Sequence, residues 1–200
     1  MNEIKAANTT FDIHELIKVR YSPYVFDPKR NVSKDDLAAL FEAVSWAPNS
    51  FNEQPWRFVV ASREDGEAFE TLLSCLVEGN QGWARHASVL VLGAIKTNFT
   101  HNNKPNGVAL HDLGAAAATL TFEATNRGIV AHQMAGILPD RARRLYAVPE
   151  GFEIATAIAI GYEGDLGDAE EVFKNRDSKP RKRKSLNEFV FSGGWEKPAF

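Results

Sequence analysis

The stretch Ala47-Pro-Asn-Ser-Phe-Asn-Glu-Gln-Pro-Trp-Arg-Phe58 packs two Asn, a Ser and a Gln between two prolines and leads directly into aromatic, strand-like sequence. Pro48 and Pro55 stiffen the backbone. The amides of Asn49 and Asn52, with Ser50, supply neutral donors and acceptors. Such a turn has two open readings. It can be a helix-terminating loop that satisfies its own backbone, or a rigid surface able to read the edge of a flat heteroaromatic ring.

The flanking sequence supports a framework on both sides. Upstream, Ser33 with Asp36 three residues on forms an N-terminal cap, and Leu37, Leu40, Phe41 and Val44 follow at helical spacing up to Pro48. Downstream, 56–62 reads as a strand. Ile13, Leu16, Ile17 and Arg20 predict a short helix over 11–20, stopped by Pro23 and Pro28. An amphipathic helix is expected over 64–78, then a turn over 78–87 and a strand over 88–95 buried on both faces. A polar loop, 96–107, precedes an Ala-rich helix over 108–128 that ends at Gly128. That helix is apolar around most of its circumference, so it is either the spine of the core or part of a subunit interface. A strand running into a turn (129–138), a short helix from Pro139 and a strand within 152–165 follow. From 166 the chain is polar and basic, then aromatic.

The 200 residues bound one domain, or one with an appendage. A single cysteine, Cys75, excludes an intrachain disulfide framework and suggests a reducing compartment. The first fifteen residues hold no signal-peptide core, and no run approaches a membrane span, so the expectation is a cytoplasmic protein. Net charge is −3, but Lys179-Pro-Arg-Lys-Arg-Lys184 holds five of the 23 Lys and Arg; without it, 18 basic residues face 26 acidic ones. Such an isolated basic cluster has a local anionic partner, or is a solvated linker or a nucleic-acid patch. The acidic balance elsewhere and the lack of interleaved aromatics argue against nucleic acid. Arg20, at a helix end before Tyr21 and Ser22, is either a surface charge favoured by the helix dipole or, with Arg181 and Arg183, part of a phosphate site.

The chain has no Gly-x-Gly-x-x-Gly, no phosphate loop, no metal-ligand spacing and no nucleophile turn. If it is an enzyme, a cofactor carries the reaction, and no side chain is assigned as catalytic.

In order along the chain, "IKVRYSPYVF", "LAALFEAVSWAPNSFNEQPWRFVVAS", "EGNQGWARHASVLVLGAI", "LHDLGAAAATLTFEATNRGIVAHQMAG", "PEGFEIATAIAIGYEGD" and "RKRKSLNEFVF" resemble the FMN-dependent nitroreductase family. The resemblance spans roughly residues 11–195. It implies an α+β fold with a central mixed β-sheet flanked by helices. It also implies a core over 1–165 and a C-terminal extension, 166–200, that completes the phosphate site and wraps the partner of a homodimer.

On that resemblance, Arg20, Ser22, Arg181 and Arg183 hold the FMN phosphate, with Tyr21 at a variable position between them. Pro48, Asn49, Ser50 and Asn52 come from the other subunit to the ring and ribityl. Asn80 meets the pyrimidine edge, and Gln133, Met134, Ala135 and Gly136 line a re-entrant turn near flavin N5. The implied reaction takes hydride from NAD(P)H to a nitro group, quinone or similar acceptor by ping-pong kinetics. Three positions depart from the family's pattern. Asn49 replaces a commoner Ser. Tyr24 stands where a basic residue often lies at the flavin edge, and Trp83 where some members carry Lys. A lower flavin potential is the expected consequence. Trp83 and His132 are candidate pocket residues. A flavin-binding sensor without turnover shares every one of these residues, and so does a flavoenzyme of the same fold with other acceptor chemistry.

Overall fold

The computed structural model describes residues 3–200. Helices α1 (Glu15–Val19) and α2 (Lys34–Ser45) lead to strand β1 (Trp56–Ser62). Then come α3 (Gly66–Leu73), α4 (Glu78–Ala84) and β2 (Val89–Lys96), followed by α5 (Ala109–Asn126) and β3 (Val130–Met134). Helix α6 (Pro139–Leu145), β4 (Phe152–Gly161) and α7 (Glu171–Asp177) complete the chain's main elements.

The α+β class holds, but the sheet corrects the expected mixed pairing. Its order is β1-β2-β4-β3, and each adjacent pair is antiparallel. Strands β2 and β3 run the same way, joined through α5, and β4 inserts between them. Strands β1 and β4 likewise share a direction across β2, so every like-directed pair is split and no parallel ladder forms.

Alternation along β2 divides the core. Leu90, Leu92 and Ala94 pack with Phe69, Leu72, Leu76 and Trp83 on one face. Val89, Val91 and Ile95 pack with Leu40, Val44, Leu113 and Leu120 on the other. Helices α3 and α4 thus cover one face and α2 and α5 the opposite one. This explains why β2 reads as a continuous apolar run without parallel neighbours.

The helix expected over 64–78 is broken. Leu76 forms an antiparallel bridge with Ile137, and the Leu138 N–H donates to the Cys75 carbonyl at 2.7 Å. The segment expected to be a turn then forms α4, anchored by buried Trp83 and Ala84 despite its two glycines. Helix α1 is shorter than 11–20 because His14 caps it, its Nδ1 accepting from the Leu16 N–H at 3.2 Å. Among the described residues no helix is long and apolar enough to cross a membrane.

Candidate functional site

The turn after α2 is built by its own amides. Asn49 Oδ1 accepts the Gln54 N–H at 3.0 Å, and Asn49 Nδ2 donates to the Ala47 carbonyl at 3.0 Å. Gln54 Nε2 donates to Asn52 Oδ1 at 3.1 Å. The self-satisfying reading therefore describes Asn49 well. Yet Phe51, Asn52 and Gln54 have φ of 54, 52 and 48°, in the left-handed region that non-glycine residues rarely enter. Phe51 is left 81 % exposed. The turn is held from outside by Asp112 of α5, whose Oδ2 accepts the Ser50 N–H at 3.1 Å. Asp112 is only 2 % exposed.

A second group forms where α1 ends. Arg20 is its C-cap, and Arg20 Nη1 donates to Ser22 Oγ at 3.2 Å. A cleft of about 640 Å³ opens here, lined by Ile17, Arg20, Phe122, Arg181, Arg183 and Lys184 among others. Four cationic side chains and no Asp or Glu side chain line it. Burial, and then the nearby Arg183 guanidinium, push the Arg20 pKa below the ordinary arginine value. Burial, Arg20 and Arg183 do the same to Arg181. Crowded cations with no facing acid make a ready site for an anion. A neighbouring cleft of about 800 Å³ takes Asp27, Glu163 and Asp165 into its wall, which suits an anion poorly.

Arg181 departs from its expected part. Its guanidinium donates to the backbone carbonyls of Arg20 and Lys18, not outward. That leaves Arg20, Arg183 and Lys184 as the other cations of the cleft wall, with Ser22 joined to it through its bond from Arg20 Nη1. Tyr21 is also corrected. Its side chain is buried beside Lys5, 5.9 Å from the ring centroid, and burial with a Glu163 hydrogen bond raises its pKa.

The turn after β3 is braced from two sides. Gln133 Nε2 donates to the Ala117 carbonyl (3.1 Å) and Thr121 Oγ1 (3.0 Å) on α5. Met134 is buried, and its carbonyl accepts from Thr156 Oγ1 at 2.9 Å. Ala135 is exposed, and its carbonyl accepts the Ile137 N–H at 2.9 Å. The Gly136 carbonyl accepts Asn80 Nδ2 at 3.0 Å, so Asn80's amide is committed to this turn. A Cβ on Gly136 would lie 2.5 Å from that Nδ2, which is why glycine stands there.

Trp83 is corrected as a pocket residue. At 1 % exposure it belongs to the core. It stacks on His132 with centroids 4.4 Å apart, and Tyr24 meets both edge-on at 5.3 and 4.8 Å. Tyr24 is itself covered by Phe173 of α7 and by the Arg176 guanidinium, 4.7 Å from the ring centroid. His132 Nδ1 lies 2.8 Å from the Pro23 carbonyl, so this nitrogen carries the proton.

Helix α5 sets the distances between these parts. Asp112 meets the amide turn, Ala117 and Thr121 meet Gln133, and Phe122 borders the cationic cleft. Ten residues of helix separate the first from the last, about 15 Å. The cleft and the Gln133 turn are neighbours; the amide turn of the same chain lies at the far end. Sequence reasoning missed Asp112. Its only signal was a carboxylate in the first turn of a largely apolar helix.

Comparisons with known proteins agree with this architecture. Residues 17–162 match the family described as the Nitroreductase family. A solved structure described as an oxidoreductase containing FMN superposes with a TM-score of 0.87 at 33 % identity, covering 94 % of this chain and 95 % of that one. An uncharacterized 15.4 kDa protein of Mycolicibacterium smegmatis is 38 % identical over 132 residues, 66 % of this chain and 87 % of its own. The major NAD(P)H-flavin oxidoreductase of Aliivibrio fischeri is 32 % identical over 92 residues, 46 % of this chain and 42 % of that protein. With the family matched over most of its length, this chain belongs to the nitroreductase family.

Proposed function

We propose that this chain is an NAD(P)H-dependent FMN oxidoreductase that works as a homodimer and reduces a nitroaromatic, quinone or similar conjugated acceptor. The observation that carries the reading is the cleft at the end of α1, whose wall carries Arg20, Arg183 and Lys184 beside the backbone-bound Arg181 and no Asp or Glu side chain. Its size is in the range of small-molecule and cofactor sites, about 300–1,000 Å³. When bound, FMN supplies the redox chemistry, accepting two electrons from the nicotinamide and delivering them to the acceptor.

The protein's own part is binding and orientation. Arg20 and Arg183 take the phosphate, with Ser22 Oγ held ready by its bond to Arg20 Nη1. Arg181 contributes indirectly, tying the C-terminal segment to the carbonyls from which Arg20 projects. The segment 166–200 thereby completes the phosphate site. The turn Gln133–Met134–Ala135–Gly136, braced by Asn80, presents backbone N–H groups to the ring. The amide turn Pro48–Asn49–Ser50–Asn52 reaches the same ring from the second copy. Its position at the opposite end of α5 from the cationic cleft supports this, because two α5 helices packed head to tail bring one copy's turn beside the other's cleft. Exposed Leu110, Trp46 and Phe51 supply apolar surface for that contact.

His132 is a neutral, packed group beneath the site, not an acid. Burial, outweighing its bond to the Pro23 carbonyl, lowers its pKa. With two substrates sharing one face, the kinetics are ping-pong. The test is an absorption spectrum of the purified protein, repeated anaerobically after NADH and then NADPH. Flavin bands that bleach with either nucleotide support the reading. Flavin bands that persist point to a binding protein without turnover, and protein that takes up no FMN overturns it.

A further inference from the structure

Resting on the flavin reading above, we propose that Asp112 is a positioning residue for the cofactor. It fixes the strained amide turn in the one conformation that serves the partner's site. The side chain sits in the first turn of α5, 2 % exposed. A carboxylate buried that far is costly unless hydrogen-bonded. Its oxygens are divided between two tasks. Oδ2 accepts the Ser50 N–H at 3.1 Å, and Oδ1 lies 3.4 Å from Nδ1 of the exposed His111.

The turn needs such an anchor. Three of the four residues 51–54, Phe51, Asn52 and Gln54, carry positive φ, and left to itself a chain relaxes out of that region. Its internal bonds join Asn49 to Gln54 and Gln54 to Asn52 and shape the loop. Two carboxylates tie it to the body of the protein: Glu53 Oε1 accepts the Thr100 N–H at 2.8 Å in the loop after β2, and Asp112 makes the tie to α5 at the start of the strained run. The helix that supplies Asp112 also holds Gln133 through Ala117 and Thr121. One rigid rod therefore sets the amide turn at one end and the re-entrant turn at its middle. In a head-to-tail pair of α5 helices, a shift of either turn is a shift in the flavin's surroundings. The expected ligand is the isoalloxazine and ribityl of FMN, and the effect of Asp112 on it is through Ser50, without contact.

The experiment uses full-length wild type, Asp112→Leu, Asp112→Asn and Ser50→Pro. FMN affinity is read by fluorescence quenching, the ring environment by visible circular dichroism, and folding by thermal unfolding. Asn keeps an acceptor oxygen for the Ser50 N–H, whereas Leu removes it. Proline at position 50 deletes the donor instead, after a residue, Asn49, already in the extended region that proline requires before it (φ −156°, ψ 159°). The expected result is FMN affinity weakened about tenfold or more in D112L and S50P, with an altered dichroism band. D112N should stay within about threefold of wild type. Where D112L fails to fold, S50P alone decides. FMN affinity within about twofold of wild type in D112L or S50P overturns the proposal, as does D112N being as weak as D112L. Wild type that binds no FMN is a different failure, that of the flavin reading itself.

Discussion

The guanidinium of Arg181 closes on the backbone carbonyl of Arg20 and, two residues back, on that of Lys18. A residue near the C-terminus thus caps the first regular helix, satisfying carbonyls that a helix end leaves open. The same contact carries Arg183 to the cleft that Arg20 lines. Two arginines spaced by one residue differ in placement, one bound to backbone carbonyls and one lining the cleft.

That division separates two substitutions. Arg20→Ala should weaken FMN binding by about 1.5–3 kcal/mol, the worth of a charge-assisted hydrogen bond, with little change in the thermal midpoint. Arg181→Ala should lower the midpoint, since the Arg20 carbonyl loses this donor and the Lys18 carbonyl is left with the Ala7 N–H, and weaken FMN less. FMN titration paired with calorimetry reads both. Equal FMN losses in the two variants would contradict the assignment.

Gly136→Ala tests the bracing of the re-entrant turn. The added methyl would meet Asn80 Nδ2 at 2.5 Å and Val77 Cγ2 at 2.8 Å. Overpacking of this kind costs about 1–3 kcal/mol. The Asn80 bond to the Gly136 carbonyl should be lost with it. A thermal midpoint unchanged from wild type would show that the turn gives way without cost.

His132 should make stability depend on pH. Burial is the first cause that lowers its pKa, and Arg20 and Arg176 nearby add to it. A lowered histidine pKa means that the unfolded chain binds more protons near pH 6, so stability is full above the ordinary histidine value of about 6.5 and falls as pH drops through and below it. His132→Gln keeps a donor for the Pro23 carbonyl and removes the titration. The variant's unfolding free energy should change less than wild type's between pH 7 and 5, measured by urea denaturation. Identical slopes would mean that His132 takes no part.

Leu110→Glu probes the exposed face of α5. Leu110 is 61 % exposed, so a charge there should leave the monomer's fold intact. At a subunit contact the same charge would be buried unpaired, at a cost of several kcal/mol. Sedimentation should show the variant shifted to monomer, with FMN lost in parallel because the amide turn comes from the second copy. A monomeric variant that keeps full FMN affinity would place the amide turn outside the site.

The local elements were largely legible in the sequence. Ser33 caps α2 by accepting the Asp36 N–H at 3.0 Å, as its spacing with Asp36 predicts. Strand β1 has the expected bounds, and Gly128 ends α5 with φ of 69°. These follow from short-range chemistry: a cap, a period and a residue that tolerates positive φ. The candidate site residues were legible only in part. Arg20 with Ser22, and Asn80 with Gly136, do meet. Trp83, Tyr21 and Arg181 turned out to serve the core or the backbone.

Long-range pairing decided the rest. Leu76 leaves helical geometry because Ile137 is its neighbour in space, and α4 forms because Trp83 finds a buried place beside Phe26 and His132. Periodicity cannot report a partner sixty residues away. The direction of β4 between β2 and β3 is likewise silent in its composition, since strands covered on both faces are apolar whichever way their neighbours run. Asp112 shows the limit most plainly. As sequence it is one of two acids in a largely apolar helix; only the fold brings its carboxylate to the Ser50 N–H, because a buried charge must find a donor and the amide turn lies within reach.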